Sequence, residues 1–394
     1  MKRKRALYLA VVFAAASVLA ADKPSGNPSA RPRARDLGVP FDGKPGPLDA
    51  ITDVAGVTVG HTTIIRGEGA LKVGEGPVRT GVTAILPRGR DTLSDPVFAG
   101  WFALNGAGEM TGTTWVEESG FLEGPVMITN THSVGAVHEA TIAWRVGEGP
   151  PDATGYWWSN PVVAETWDGE LNDINGFHVK RAHVFEALSG AKPGPVAEGN
   201  VGGGTGMICN GFKGGIGTAS RRMPAEAGGY TVGALVQCNY GRKIDLVVAG
   251  VPVGREIAGS GARDDDAGSI IIVVATDAPL LPTQCKRLAR RAALGLAREG
   301  SIAGNGSGDI FIAFSTANPG AARPTGIVTL SDLPNDRMNP LFAATAQSVE
   351  EAIVNAMVAA ETMKGADGLV VRALPHDDLR RILKKYGRLA EGAP

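Results

Sequence analysis

The sequence predicts a mixed α/β fold in which layers of sheet are covered by helices. Three observations predict it: short apolar runs rich in β-branched residues crowd the middle of the chain, long helical patterns follow them, and 55 glycines are spread without a collagen period. So many glycines imply tight turns and close backbone approaches. In order, the strand candidates are Gly81 to Leu86, Pro125 to Asn130, Pro161 to Glu165, Tyr230 to Cys238, Leu246 to Val253, Ser269 to Thr276 and Asp309 to Ser315. Helical patterns lie between and after them. The clearest helix runs from Pro282 to Arg298, with Leu288, Ala292 and Leu296 at helical spacing, Pro in its first turn and Gly300 beyond its end. A second is expected from Pro340 to Met363, with Asn339 as N-cap and Ile353, Met357 and Ala360 on one face. Asp377 is placed to cap a third that ends at Gly387. Strands in the middle and helices at the end argue against a regularly alternating doubly wound sheet.

With 394 residues, 43% of them hydrophobic, the chain is long enough to bury a large core. A net charge of -1 gives no electrostatic footprint for nucleic acid or anionic lipid. The basic cluster Lys2 to Arg5, the apolar stretch Ala6 to Leu19 and the small residues Ala20 and Ala21 form the pattern of a secretory signal peptide, cleaved near Ala20. Retention as a membrane anchor is the other reading of the same stretch. The expected product is exported, to the periplasm or beyond. Residues 21–35, rich in Pro, Ser and charge, are expected to be a flexible lead-in, with a single folded domain over 36–394. Export permits disulfides, yet Cys209, Cys238 and Cys285 are odd in number and widely spaced, and all three are read as small buried hydrophobes.

Several motifs fail on inspection. Gly199 to Gly206, "GNVGGGTG", registers on neither the dinucleotide-binding nor the P-loop pattern, so it is read as a structural turn or an active-site wall. His138-Glu139 lacks the second His of a zinc-binding helix, and His178 and His183 do not sit at ligand spacing. No serine occupies a G-x-S-x-G elbow. What remains is Asp264 to Val274, "DDDAGSIIIVV", where Gly268-Ser269 lies between an acidic turn and a buried strand. A serine without a catalytic histidine can use its own α-amine, of pKa about 7.7–8.0, if it becomes the first residue of a new chain. Gly268 suits the required self-cleavage because it tolerates strained backbone and does not obstruct attack on its carbonyl.

Motifs in fixed order carry a resemblance over nearly the whole mature chain: "ITDVAGVTVGHTT" from Ile51, "RTGVTAILPRG" from Arg79, "EGPVMITNTHSVG" from Glu123, "PVVAETWDGELNDING" from Pro161, "GNVGGGTGM" from Gly199, "LVQCNYG" from Leu235, "GSIIIVVATDAPL" from Gly268 and "GNGSGDIFIAFSTAN" from Gly304. The chain resembles the self-processing N-terminal-serine aminopeptidases, which include the L-aminopeptidase/D-amidase-esterases and the β-peptidyl aminopeptidases. The resemblance implies a four-layer αββα sandwich, similar to the N-terminal-nucleophile hydrolases but distinct in connectivity. It implies cleavage between Gly268 and Ser269 into an α fragment ending at Gly268 and a β fragment beginning at Ser269, and homo-oligomers of these pairs. Ser269 would be both the self-cleaving residue and the catalytic nucleophile, with Ser307 and Asp309 supporting its proton transfers. Those two share a face of a strand if they alternate regularly. Asn239 matches the oxyanion donor, and Glu165 the carboxylate that receives the substrate's free ammonium.

One departure is Trp167, which stands where the family can place a tyrosine whose hydroxyl helps to hold the oxyanion. Either its ring N–H donates, or Asn239 and a backbone N–H carry the oxyanion while Trp167 shapes the pocket; the second is preferred. The implied substrate is a peptide, amide or ester with a free amine, and no metal or organic cofactor is implied. Two other readings remain: an acyltransferase of the ornithine acetyltransferase type, which uses threonine as its nucleophile, and an uncleaved binding protein. Preference among L-α-, D-α- and β-amino acids depends on a pocket expected to involve Trp167 and the loop Gly155 to Asn160.

Overall fold

The computed structural model describes residues 31–148, 158–259, 261–262 and 267–390. The expected signal peptide, the acidic residues Asp264 to Asp266 and the first part of the Gly155 to Asn160 loop lie outside the described residues. In chain order the main elements are β1 (Thr58–Arg66), β2 (Val78–Arg90), β3 (Val97–Gly106), α1 (Thr113–Ser119), β4 (Phe121–Leu122), β5 (Val126–Asn130), α2 (Val134–Glu148), β6 (Val162–Thr166) and α3 (Arg181–Ser189). There follow β7 (Ile208–Cys209), β8 (Phe212–Lys213), β9 (Gly215–Arg222), β10 (Thr231–Asn239), α4 (Val253–Glu256), β11 (Ala267–Thr276), α5 (Pro282–Arg298), β12 (Gly306–Ser315), α6 (Asn339–Val358) and α7 (His376–Lys385).

Two main sheets lie face to face. One has the order β1–β2–β5–β6 and the other β4–β3–β12–β11–β10–β9. Alternation along β11 shows how the layers are built. Ile271, Val273 and Ala275 join Ile85, Ile128 and Ala164 of the first sheet in one core. Ile270, Ile272 and Val274 instead pack with Leu288 and Leu296 of α5 and Val349, Ile353 and Met357 of α6. On the far side, Ala84, Met127 and Val163 meet Val137, Ala140 and Trp144 of α2 and Val184 of α3. The result is the αββα sandwich that the family resemblance implies. A strand buried on both faces takes apolar residues at successive positions, which is why "SIIIVV" is continuous rather than alternating.

Several expectations are corrected. Residues 31–35 are not a free lead-in: Ala34 is buried, Arg33 bonds Glu198 at 2.8 Å, and Arg35 bonds Glu351 at 2.6 Å. Composition alone missed partners supplied far along the chain. Leu246 to Val253 is not a strand. It folds into a tight turn bridged between Val248 and Val251, because Ala249 and Gly250 take positive φ of 52° and 79°. Helix α6 starts at Asn339, with Met338 rather than Asn339 as its N-cap, and it stops at Val358, short of Met363. Pro375 precedes α7, so Asp377 sits in its first turn rather than at the cap, and the helix ends at Lys385, two residues short of Gly387. Cys285 is free and buried as read, but Cys209 and Cys238 form a disulfide whose Cα atoms lie 5.6 Å apart. Among the described residues, no helix is long and apolar enough to cross a membrane.

Candidate active site

β11 carries Ser269 into the site between two partner strands. It pairs antiparallel with β10, placing Ser269 opposite Asn239, and parallel with β12, placing Ser269 opposite Gly308. The Ser269 side chain shares the inter-sheet face of Ile271 and is 4% exposed. Its hydroxyl donates to the Gly268 carbonyl at 2.6 Å and accepts from the Gly308 N–H at 3.2 Å. Gly268 has φ +126°, a conformation that L side chains rarely adopt, so a glycine before this serine is a backbone requirement.

Ser307 donates to Asp309 Oδ1 at 2.6 Å, so the two do share one face of β12. That face is the one of Phe311, on the helix side of the sheet, whereas Ser269 points between the sheets. Ser307 and Asp309 pair in register with Gly268 and Ile270. The pair therefore flanks the main chain on either side of Ser269. A register shift against β3 falls just after Asp309, a bulge of the kind that re-aims strand ends at sites.

The Asn239 amide is held at both ends. Its Oδ1 accepts from the Ile208 N–H at 2.8 Å and its Nδ2 donates to the Trp167 carbonyl at 2.8 Å. Trp167 therefore meets Asn239 through its backbone, not its ring. The indole is partly exposed and edge-on to His132 at 5.5 Å, while His132 stacks on Phe177 at 6.0 Å. The glycine-rich turn is a wall of this region: it leads into Ile208, and a Cβ on Gly206 would lie 2.2 Å from the Arg79 carbonyl. Close backbone packing, rather than phosphate binding, explains its glycines.

Glu165, at the end of β6, is 3% exposed. Its Oε1 accepts from the Glu109 N–H at 2.9 Å and its Oε2 accepts from the Thr131 hydroxyl. Burial pushes its carboxyl up from the usual range, and those two donors oppose the rise. A Cβ on Gly108 would lie 3.2 Å from Glu165 Oε1 and 3.1 Å from Gly308 Cα. The segment at Gly108 thus joins the carboxylate to the residue that bonds Ser269. Glu109, Thr131, Gly108 and Gly308 were not legible as site residues, because each acts through its backbone or at long range. Among the described residues, no group of His, Cys, Asp and Glu could hold a metal ion.

The model of peptidase family S58 matches residues 49–371. The chain belongs to peptidase family S58. This aminopeptidase is 56% identical over 376 residues to β-peptidyl aminopeptidase BapA of Sphingosinicella microcystinivorans, covering 91% of this chain and 93% of that protein. Its fold superposes on the L-aminopeptidase D-Ala-esterase/amidase of Ochrobactrum anthropi with a TM-score of 0.86 at 51% identity, covering 91% of this chain and all of that one. It also superposes on a Burkholderia sp. β-aminopeptidase with a TM-score of 0.83 at 49% identity, covering 90% of this chain and 99% of that one. The solved aminopeptidases confirm the variant of the N-terminal-nucleophile hydrolase fold. The family and its named relatives make the protein a hydrolase acting on amino termini, in preference to the acyltransferase and binding-protein readings.

Proposed function

We propose that the chain is made as a precursor that cuts itself between Gly268 and Ser269 and then uses Ser269 as the nucleophile of an aminopeptidase. The Ser269 hydroxyl adds to the Gly268 carbonyl carbon, the C–N bond breaks, and the departing nitrogen takes the proton. Water hydrolyses the resulting ester, freeing a Gly268 carboxylate and the Ser269 hydroxyl and α-amine. In turnover the same hydroxyl attacks the carbonyl of an N-terminal residue, the α-amine accepts its proton and returns it to the leaving amine, and water then hydrolyses the acyl-enzyme ester to release the amino acid and restore the hydroxyl. Asn239, whose Nδ2 also donates to the Trp167 carbonyl, stabilises the developing oxyanion through its carboxamide. Ser307 and Asp309 flank the backbone where the new amine appears, which suits them to hold and relay its proton. Glu165 receives the substrate ammonium, and Trp167 borders the pocket with its ring.

The observation that carries this reading is the 2.6 Å contact of the Ser269 hydroxyl with its own preceding carbonyl, on a strand held between Asn239 and Gly308. Substrates with an N-terminal β-amino acid are the first class to test, because the 56% identical relative is a β-peptidyl aminopeptidase. L-α- and D-alanyl amides and esters follow from the Ochrobactrum enzyme. Export through the signal-peptide pattern and assembly of fragment pairs into homo-oligomers belong to the same proposal and rest on the sequence pattern and the family resemblance. The test is the intact mass and fragment N-termini of the purified wild type beside Ser269→Ala. Two wild-type fragments, one beginning at Ser269, with one chain in the variant, are expected. A wild type that stays whole would overturn the mechanism.

A further inference from the structure

Lys213 is a fully buried lysine on β8 that the mechanism above does not use. Its Nζ donates to the Met207 carbonyl at 2.8 Å, to the Gly214 carbonyl at 2.9 Å and to the Gly204 carbonyl at 3.4 Å. The Met207 carbonyl and the Ile208 N–H belong to one peptide group, and that N–H is the donor to Asn239 Oδ1 at 2.8 Å. A continuous line therefore runs from the lysine nitrogen through one peptide and one carboxamide to the nitrogen of Asn239. Each bond in such a line polarises the next: a donor on the Met207 oxygen makes the Ile208 N–H more acidic, and that in turn makes the Asn239 amide hydrogens better donors. The same contacts also fix the turn Gly202 to Met207, so they set the direction in which the amide points.

We infer that Lys213 is a positioning residue for the oxyanion donor, acting on catalysis through the Met207–Ile208 peptide and Asn239. The inference rests on the reading of Asn239 as oxyanion donor given above. Burial alone does not call for a lysine here, since burial disfavours its ammonium and pushes it down to about 7. Of the charged groups near it, Arg31 adds to that fall and Asp168 opposes it. A buried amine under such a penalty is retained where its donors are needed, and three backbone carbonyls take them.

The test is a double-mutant cycle of Lys213→Met and Asn239→Ala on a chromogenic amino-acid ester, reading kcat and KM separately, with the self-cleavage rate of the precursor as a second reaction. Loss of an oxyanion donor costs about 10²–10³ in kcat, and loss of the group that polarises it should cost roughly tenfold, with KM little changed. In the Asn239→Ala background the effect of Lys213→Met on kcat should vanish. Lys213→Gln, which keeps a donor for one carbonyl, replaces the methionine variant if that does not fold, and should retain part of the rate. Equal effects of the Lys213 change in both backgrounds would overturn the inference, as would a rise in KM alone. Failure of both Lys213 variants to fold beside a folded Asn239→Ala would also overturn it, assigning the lysine to the fold alone. An unchanged kcat in Asn239→Ala by itself would instead refute the oxyanion reading on which the inference stands.

Discussion

Replacing Glu165 with glutamine separates substrate capture from self-cleavage. The swap is isosteric, and the two groups that hold the carboxylate can hold the amide: the Glu109 N–H still meets an oxygen, and the Thr131 hydroxyl can rotate to accept from the new NH2. Because burial already opposes ionisation of Glu165, the neutral side chain costs the fold little, and the thermal midpoint should not fall. What is lost is a charge-assisted hydrogen bond to the substrate ammonium, worth about 1.5–3 kcal/mol, or roughly 10- to 150-fold in kcat/KM. The precursor presents no ammonium to Glu165 when it cuts itself, so its fragments should appear at the wild-type rate. The assay is release of p-nitroaniline from a free-amine substrate beside an electrophoretic time course of processing. A Glu165→Gln enzyme that keeps wild-type kcat/KM, or a wild type that cleaves N-acetylated substrates as fast as free ones, would refute the assignment.

Gly308→Ala would place a Cβ 2.6 Å from the Ala107 carbonyl, and the shift of the strand end needed to relieve it moves the N–H that bonds Ser269. Self-cleavage and turnover should both fall, by about 10²-fold for a displacement near 1 Å, measured as processing rate and kcat. Trp167→Tyr leaves the backbone carbonyl that holds Asn239 in place, so processing should proceed at the wild-type rate while KM shifts among substrates of different side chain. Arg33→Ala strips the buried Glu198 of a guanidinium at 2.8 Å and should cost about 3–5 kcal/mol in urea unfolding of the Ser269→Ala precursor. Asp49, raised to about 7 chiefly by burial and then by Glu351, keeps its proton in the folded state to higher pH than in the unfolded one. The stability this proton provides is complete below the unfolded value near 4 and is lost as pH rises to about 7, so Asp49→Asn should flatten the fall in midpoint between pH 5 and pH 8.

Ser269 and its neighbours were legible because they lie at strand ends whose motifs are contiguous. Ser269 and Asp309 stand at the starts of the predicted strands, while Asn239, Gly268 and Ser307 lie one or two residues beyond the predicted strand ends and are taken in because the ladders extend to them. The alternating contacts of β11 and β12 add what a motif does not state, that the Ser307–Asp309 pair and the Ser269 hydroxyl occupy opposite faces of one sheet. The sequence shows the ring of Trp167 but not the bond its carbonyl accepts from Asn239 Nδ2. Thr131, Glu109 and Gly108 were out of reach for another reason: their relation to Glu165 spans tens of residues and is made by chain crossings, not by period. The arginines at 31, 33 and 35 look like a solvated run until Glu361, Glu198, Asp49 and Glu351 are brought to them.

The order of strands in the larger sheet gives the proposed cut a lasting effect. β11 and β12 belong to the fragment after the cut, and they lie between β3 and β10, which belong to the fragment before it. The two chains would be interleaved, with the β3–β12 and β10–β11 ladders shared across the break, so dilution could not part them without tearing a sheet along two seams. The precursor folds as one molecule with its partners tethered, whereas the separated fragments would have to find each other at a rate set by concentration. Once cut and then unfolded, the enzyme could not retrace its own path. Its working lifetime would be governed by the height of the unfolding barrier, not by the equilibrium it folded under.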